Sequence, residues 1–365
     1  MGVSVFALVL LQAFLGSDAA ASAARSKAEN PLLPVSDRCQ AYEQLIRNNP
    51  SDPSLYAGYA SLLIANRDYS PALTWITKGL AVAPSDSGLR LRQAIALHAL
   101  NRHQESLKIL EALPASGESM FYMGLDGRSL GDHKGAQKYL AEARDLGLRD
   151  PYALYSLIEE DHALGDKTAG LNDFRLFLTD CPDSPWLHVL YANAYVQKGN
   201  DAEARKEYQE ALHLKPDLPA VNFRLGFLLY EDGEYIPAAE CFRRELALNP
   251  SYSDANMFLG QTLHNLGREE EAIVYLRKAI ALDTRSELAY KALVAALGEK
   301  GDLEGAVEIL RMAEKEFPAD PSFPAQLASM LTRLNREEEA LKEQEKFRVL
   351  KQSERSRERA IETKR

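Results

Sequence analysis

Glycine recurs at positions 131, 165, 199, 233, 267 and 301, six residues in register at a spacing of 34. Asn335 extends the series, and counting back through one slightly shorter unit reaches Asn101 and Arg67. Glycine, and after it asparagine, are the residues that enter a left-handed turn at least cost. A chain punctuated this way is built from modules of one length, and each mark predicts a break between two helices. Between Pro216 and Pro250 the pattern is explicit. Val221, Leu225, Leu228 and Leu229 fall at helical spacing before Gly233, and Ala238, Ala239, Phe242, Leu246 and Leu248 do so after it.

Pro182, Pro216, Pro250 and Pro318 are placed to end second helices, because proline lacks an N–H and fixes φ. Pro71 and Pro237 fall in the first turn of second helices, where proline is tolerated. Two columns of small residues predict close helix packing. The first-helix column runs Ala60, Ala94, Gly124, Ile158, Ala192, Gly226, Gly260, Val294 and Ala328. The second-helix column runs Ala72, Ser106, Ala136, Gly170, Ala204, Ala238, Ala272, Ala306 and Ala340. Tyr208, Phe242, Leu276 and Leu310, again 34 apart, supply the bulk that faces them.

Period, small columns, following large residue and closing proline together resemble the tetratricopeptide repeat family. The resemblance covers Pro53 to Leu350 and implies an all-α fold: an α-solenoid, right-handed as a superhelix, of about nine helix-turn-helix repeats. It is strongest over Pro185–Pro250 and Ser253–Pro318. It is weakest over Pro151–Pro182, with Ile158 at a small position, and over Gly117–Asp150, which has no closing proline. Glu245 occupies a position that is usually small, which predicts looser packing there. The organisation expected is a signal segment over 1–23, a linker and capping helix over 24–52, the solenoid over 53–350 and a charged tail over 351–365. Stacked repeats bury one continuous core, so a chain this long needs no division into globules.

Val3 to Gly16 is apolar except for Ser4 and Gln12, and Ala21-Ser22-Ala23 fits a small-residue cleavage site. That reads as a secretory signal, although no Lys or Arg precedes the apolar run. The expected location is periplasmic or secreted, with an uncleaved membrane anchor as the alternative. No integral span is expected beyond that segment. The three cysteines, Cys39, Cys181 and Cys241, match no metal or redox spacing and are expected to stay unpaired. A net charge of −10 argues against a general nucleic-acid binder. The tail differs: Phe347 to Arg365 carries seven basic and three acidic residues.

No phosphate loop, nucleophile elbow or zinc-protease motif occurs, so no catalytic residue, cofactor or metal ligand is assigned and the chain is not expected to be an enzyme. His98, His162 and His264 fall late in first helices; His103 and His133 follow the inter-helix turn. Adjacent units can bring together one or two of them, short of the three or four ligands a metal needs. Glu159–Glu160 and Glu269–Glu271 read as solvated faces. The family resemblance implies that one stripe of the first helices lines a concave groove. Its expected residues are Phe121, Tyr152 and Tyr155; then Trp186 and Asn193; then Phe223, Phe227 and Tyr230; and last Met257, Gln261 and His264. Aromatic side chains suit such a surface, and Asn193 and Gln261 can bond a peptide backbone. The Lys and Asn positions by which relatives clamp a chaperone's C-terminal carboxylate hold Ala57 and Ser61, Leu91 and Ile95, and Phe121 and Leu125, so that clamp is absent. The function expected is a scaffold that holds a peptide or partner protein, with self-association into a homo-oligomer as the alternative.

Overall fold

A computed structural model describes residues 22–362, with side chains through 355. The apolar segment and Ala21 of the cleavage motif lie outside the described residues. Every regular element among the described residues is helical, and they fall into two compact units divided between Pro182 and Asp183.

In the first unit, α1 (22–29) and α2 (Val35–Asn48) precede four helix pairs. These are α3 (Pro53–Ala65) with α4 (Tyr69–Val82), α5 (Ser87–Ala99) with α6 (His103–Glu111), α7 (Gly117–Ser129) with α8 (His133–Asp145), and α9 (Pro151–Ala163) with α10 (Lys167–Asp180). The second unit holds five pairs. They are α11 (Pro185–Gln197) with α12 (Asp201–Leu214), α13 (Val221–Glu231) with α14 (Tyr235–Leu248), α15 (Ser253–Asn265) with α16 (Glu269–Leu282), α17 (Glu287–Lys300) with α18 (Leu303–Glu316), and α19 (Ser322–Arg333) with α20 (Glu337–Glu362). Within each unit every helix from α2 on packs on the next, and α3 also touches α5, α5 touches α7, α13 touches α15 and α15 touches α17. The chain is therefore an all-α repeat fold of nine pairs. The division between the units follows α9 and α10, the pair whose small columns are weakest.

The turn series holds at every position. All nine marks, Arg67, Asn101, the six glycines and Asn335, have φ between 58° and 83°. Each is followed by the same closing bond, from the next residue's N–H to a carbonyl five residues back, for example Asp132 to Gly127 at 2.9 Å and Asp302 to Leu297 at 2.9 Å. That bond satisfies a carbonyl the helix end would leave unpaired. Asp132, Asp166, Asn200 and Asp302 then accept a backbone N–H of the following helix, so one residue closes the turn and starts the second helix.

All the small-column residues are buried except Ile158 and Gly170, and the facing Tyr208, Phe242, Leu276 and Leu310 are buried too. The fit is tight: a Cβ added at Gly260 would lie 2.5 Å from Leu276 Cγ, and one at Gly124 2.6 Å from Leu140 Cγ. At the N-terminal end, α2 buries Ala41, Tyr42, Leu45 and Ile46. Ala28 of α1, fully buried, joins the same core. Residues 351–362 continue α20.

Glu245 corrects one expectation. Its side chain is buried, and its carboxylate oxygens accept the N–H groups of Ala220 at 3.2 Å and Phe223 at 3.4 Å. The start of α13 has no side-chain cap of its own, because Ala220 stands in the left-handed region at φ 60° where α9 has Asp150 and α11 has Ser184. Glu245 does the capping from the neighbouring helix, so the position is well packed. Glu245→Ala restores the small residue common to the family, yet is expected to destabilise the second unit by about 1–2 kcal/mol, the usual loss for an N-cap. Chemical denaturation of the two proteins measures it; an unchanged midpoint would remove the capping role.

Candidate functional site

The first helices carry the aromatic stripe, and the two units treat it separately. In the second unit, Phe223, Phe227 and Tyr230 project from one face of α13 at spacings of four and three. Phe258, on α15, is the ring they share: its centroid lies 5.8 Å from Phe223, 5.1 Å from Phe227 and 5.6 Å from Tyr230. Tyr252 packs 4.9 Å from Phe223, and Phe242 stacks under Phe258 at 6.0 Å. These mostly edge-on contacts are the favoured geometry for aromatic rings. Phe223, Phe227, Tyr230 and Phe258 are each half-buried. Phe258 was missed in the sequence because it stands one residue off the stripe, beside Met257, and only helix packing turns it toward α13.

Other stripe residues have inward roles. Trp186, Asn193 and Met257 are buried. Asn193 Oδ1 accepts both the Tyr208 hydroxyl at 2.6 Å and Arg224 Nη1 at 2.9 Å, so this carbonyl ties α11 to its neighbours and is not presented to a peptide. His264 Nδ1 pairs with Glu269 at 2.8 Å, which corrects the reading of that acidic run as wholly solvated. Gln261 is half-buried.

In the first unit Phe121 and Tyr155 are buried and Tyr152 half-buried. Phe121 meets Tyr152 edge-on at 5.9 Å, Tyr152 stacks on Tyr155 at 6.2 Å, and Arg128 donates to the Tyr152 hydroxyl at 3.2 Å. Here the rings mostly fill space between neighbouring first helices.

Polar groups of this unit converge at two equivalent places. Asp126, on α7 and fully buried, bonds through Oδ1 to His98 Nδ1 at 2.7 Å and His103 Nδ1 at 2.8 Å. Burial pushes its pKa up, but the hydrogen bonds from His103 and His98 outweigh that and hold it below the ordinary carboxylate value. One repeat on, Glu160 bonds to His133 Nδ1 at 2.8 Å, with Arg128 3.8 Å from its other oxygen. Glu160 is buried, so it belongs to no solvated face. Sequence reasoning found the histidines but not the carboxylates, which fall mid-helix with no local signal. The three cysteines are free thiols. No helix among the described residues is long and apolar enough to cross a membrane.

Stacked helix pairs of this kind define a helical repeat protein. Residues 192–233 match the family model described as TPR repeat, and residues 223–287 match the one described as Tetratricopeptide repeat. The chain carries tetratricopeptide repeats. No curated protein sequence matches it. Among solved structures it is similar to the crystal structure of the APC/C hetero-tetramer Cut9-Hcn1, at 16% identity and a TM-score of 0.55 over 86% of this chain and 63% of that one. That likeness is one of fold. It is also similar to MamA from Desulfovibrio magneticus RS-1, at 22% identity and a TM-score of 0.44 over 47% of this chain and 97% of that one.

Proposed function

We propose that this tetratricopeptide-repeat protein is an exported interaction scaffold and that the α13–α15 face of its second unit takes a peptide or partner segment. The observation behind this reading is the half-buried row Phe223, Phe227 and Tyr230 with Phe258 among them. Rings already held by their neighbours lose little entropy on binding, which is why such positions become hot spots. Gln261, half-buried on the same helix as Phe258, supplies an amide for a peptide backbone. Export rests on the apolar N-terminal segment and the small-residue motif at Ala21-Ser22-Ala23.

The test is the double substitution Phe227→Ala and Tyr230→Ala, read by quantitative capture of partners from cell-envelope extract. Recovery of the main partner is expected to fall at least about 30-fold, since two hot-spot truncations cost on the order of 2 kcal/mol or more. Unchanged recovery, with circular dichroism matching the parent, rules this face out. Sequencing the N-terminus of the exported protein tests localisation, and an intact Met1 on a soluble product contradicts cleavage. One observation favours self-association as a second reading: α20 leaves Leu341 64% and Val349 52% exposed. Sedimentation over a concentration series decides it, because a strict monomer excludes that reading.

A further inference from the structure

His98, His103 and Asp126 form a three-ligand set whose donor atoms all lie within 4.8 Å of one another. They come from three helices: the end of α5, the start of α6 and the middle of α7. The left-handed turn at Asn101 folds the two histidines onto the same carboxylate. We propose that these residues are a binding site for a borderline divalent transition-metal ion, of which zinc is the representative.

Four observations carry the proposal. The donor set is two imidazole nitrogens and a carboxylate oxygen, the mixture that suits zinc and its neighbours and not the all-oxygen preference of calcium or magnesium. The carboxylate is fully buried, and its second oxygen has no partner at full hydrogen-bond distance among the described residues; the buried Ser106 hydroxyl, itself unpaired, is near enough to favour the charged form. A buried acceptor left unpaired is costly, and a bound cation compensates it. Both histidines keep access to solvent, with side chains 23% and 16% exposed, so an ion can enter and hold a water as a further ligand. Metal–ligand bonds of about 2.0–2.2 Å imply donor separations of about 3.3 Å, so each His–Asp contact opens by roughly half an ångström, and the two imidazole nitrogens, within 4.8 Å of one another, draw together by up to about 1.5 Å. Each ring then presents Nδ1 as a lone pair by carrying its proton on Nε2.

The next repeat shows the alternative. His103 corresponds to His133, Asp126 to Glu160 and His98 to Arg128, and there the buried acid is neutralised by a guanidinium, which cannot ligate a metal. A structural clamp on a buried acid can therefore be built with arginine. Histidine in the place of Arg128 is what turns the clamp into a ligand set.

The experiment uses the full chain freed of any polyhistidine tag, titrated with zinc ion against a chromophoric chelator and with cobalt(II) read by its visible spectrum. One zinc per chain is expected, with a thermal midpoint raised by several degrees at saturation. His98→Gln and His103→Gln are each expected to weaken binding by at least about 30-fold, since even outer-sphere partners of metal ligands are worth about 10–100-fold. His133→Gln is expected to leave binding unchanged. Asp126→Asn is expected to abolish it; should that variant fail to fold, the two histidine variants, at partly exposed positions, decide alone. The proposal is overturned if the parent shows no saturable binding below about 100 μM, a free energy near 5–6 kcal/mol. It is equally overturned if His98→Gln and His103→Gln bind as the parent does.

Discussion

Replacing Phe242 with alanine is expected to destabilise the second unit by about 3–5 kcal/mol, the range for removing a buried phenylalanine. The ring is fully buried and sits where three elements meet. It rests against Gly226, where a Cβ would approach its Cε1 to 2.9 Å, and its centroid lies 5.8 Å from Phe223 and 6.0 Å from Phe258. Truncation removes the transfer free energy of the ring and leaves a cavity walled by helices that cannot close on it without moving α13 relative to α14. Phe242→Leu keeps most of the volume and is expected to cost under about 2 kcal/mol. Urea denaturation followed by near-ultraviolet circular dichroism measures both. A loss below about 1 kcal/mol for Phe242→Ala would mean that the cluster repacks freely. It would also mean that Phe223 and Phe258 are not held in place for a ligand, so this stability test bears on the proposed binding face.

The second large effect is of opposite sign and depends on pH. Asp161, on α9, is buried beside a second buried carboxylate, Asp173 of α10. Gln137 donates to Asp161 at 2.7 Å, and Arg144 pairs with Asp173. Burial raises the pKa of Asp161 first; the Gln137 hydrogen bond opposes it, the charges of Asp173 and Asp166 add to it, and the result is about 6. The unfolded chain titrates near 3.8. An acid whose folded pKa is raised favours folding below the unfolded value, and that contribution is lost as pH rises through the folded one. From about pH 4 to pH 6 and above, therefore, Asp161 progressively works against the first unit. The difference of about two pKa units sets a ceiling of roughly 3 kcal/mol. Asp161→Asn keeps the shape and the contact with Gln137 without the charge. It is expected to stabilise the first unit by about 1–3 kcal/mol at pH 8, with the gain shrinking to roughly a third of that at pH 4.5 and vanishing only below the unfolded value. Thermal unfolding at the two pH values tests this, and equal destabilisation at both would show that the carboxylate is needed for its hydrogen bonds.

The repeat architecture was legible because it is written in local terms. A left-handed turn admits few residues, so Gly131 and its successors, Asn101 and Asn335 mark their own conformations wherever they stand. A small residue facing a large one sixteen positions on, as Gly260 faces Leu276, needs no knowledge of the rest of the chain. For that reason the nine turns and both small columns appear in the structure where the period puts them, and the weakest repeat by sequence is also the one whose columns are incompletely buried.

The polar and aromatic detail was not legible, because it depends on which side chains meet across helices. Asp126 and Glu160 look like ordinary mid-helix acids, yet each is the buried partner of a histidine from the preceding repeat. Glu245 breaks the family pattern at a small position and is explained only by the uncapped helix that starts at Ala220. The stripe from Phe121 to Met257 reads as one surface by spacing alone. Packing buries Trp186, Asn193 and Met257 and adds Phe258, which no stripe contains. Periodicity tells which face of a helix points toward a neighbour. How far each side chain is covered, and what it then touches, depends on the neighbour's own side chains and the distance between the two axes, and those are set only when the helices come together.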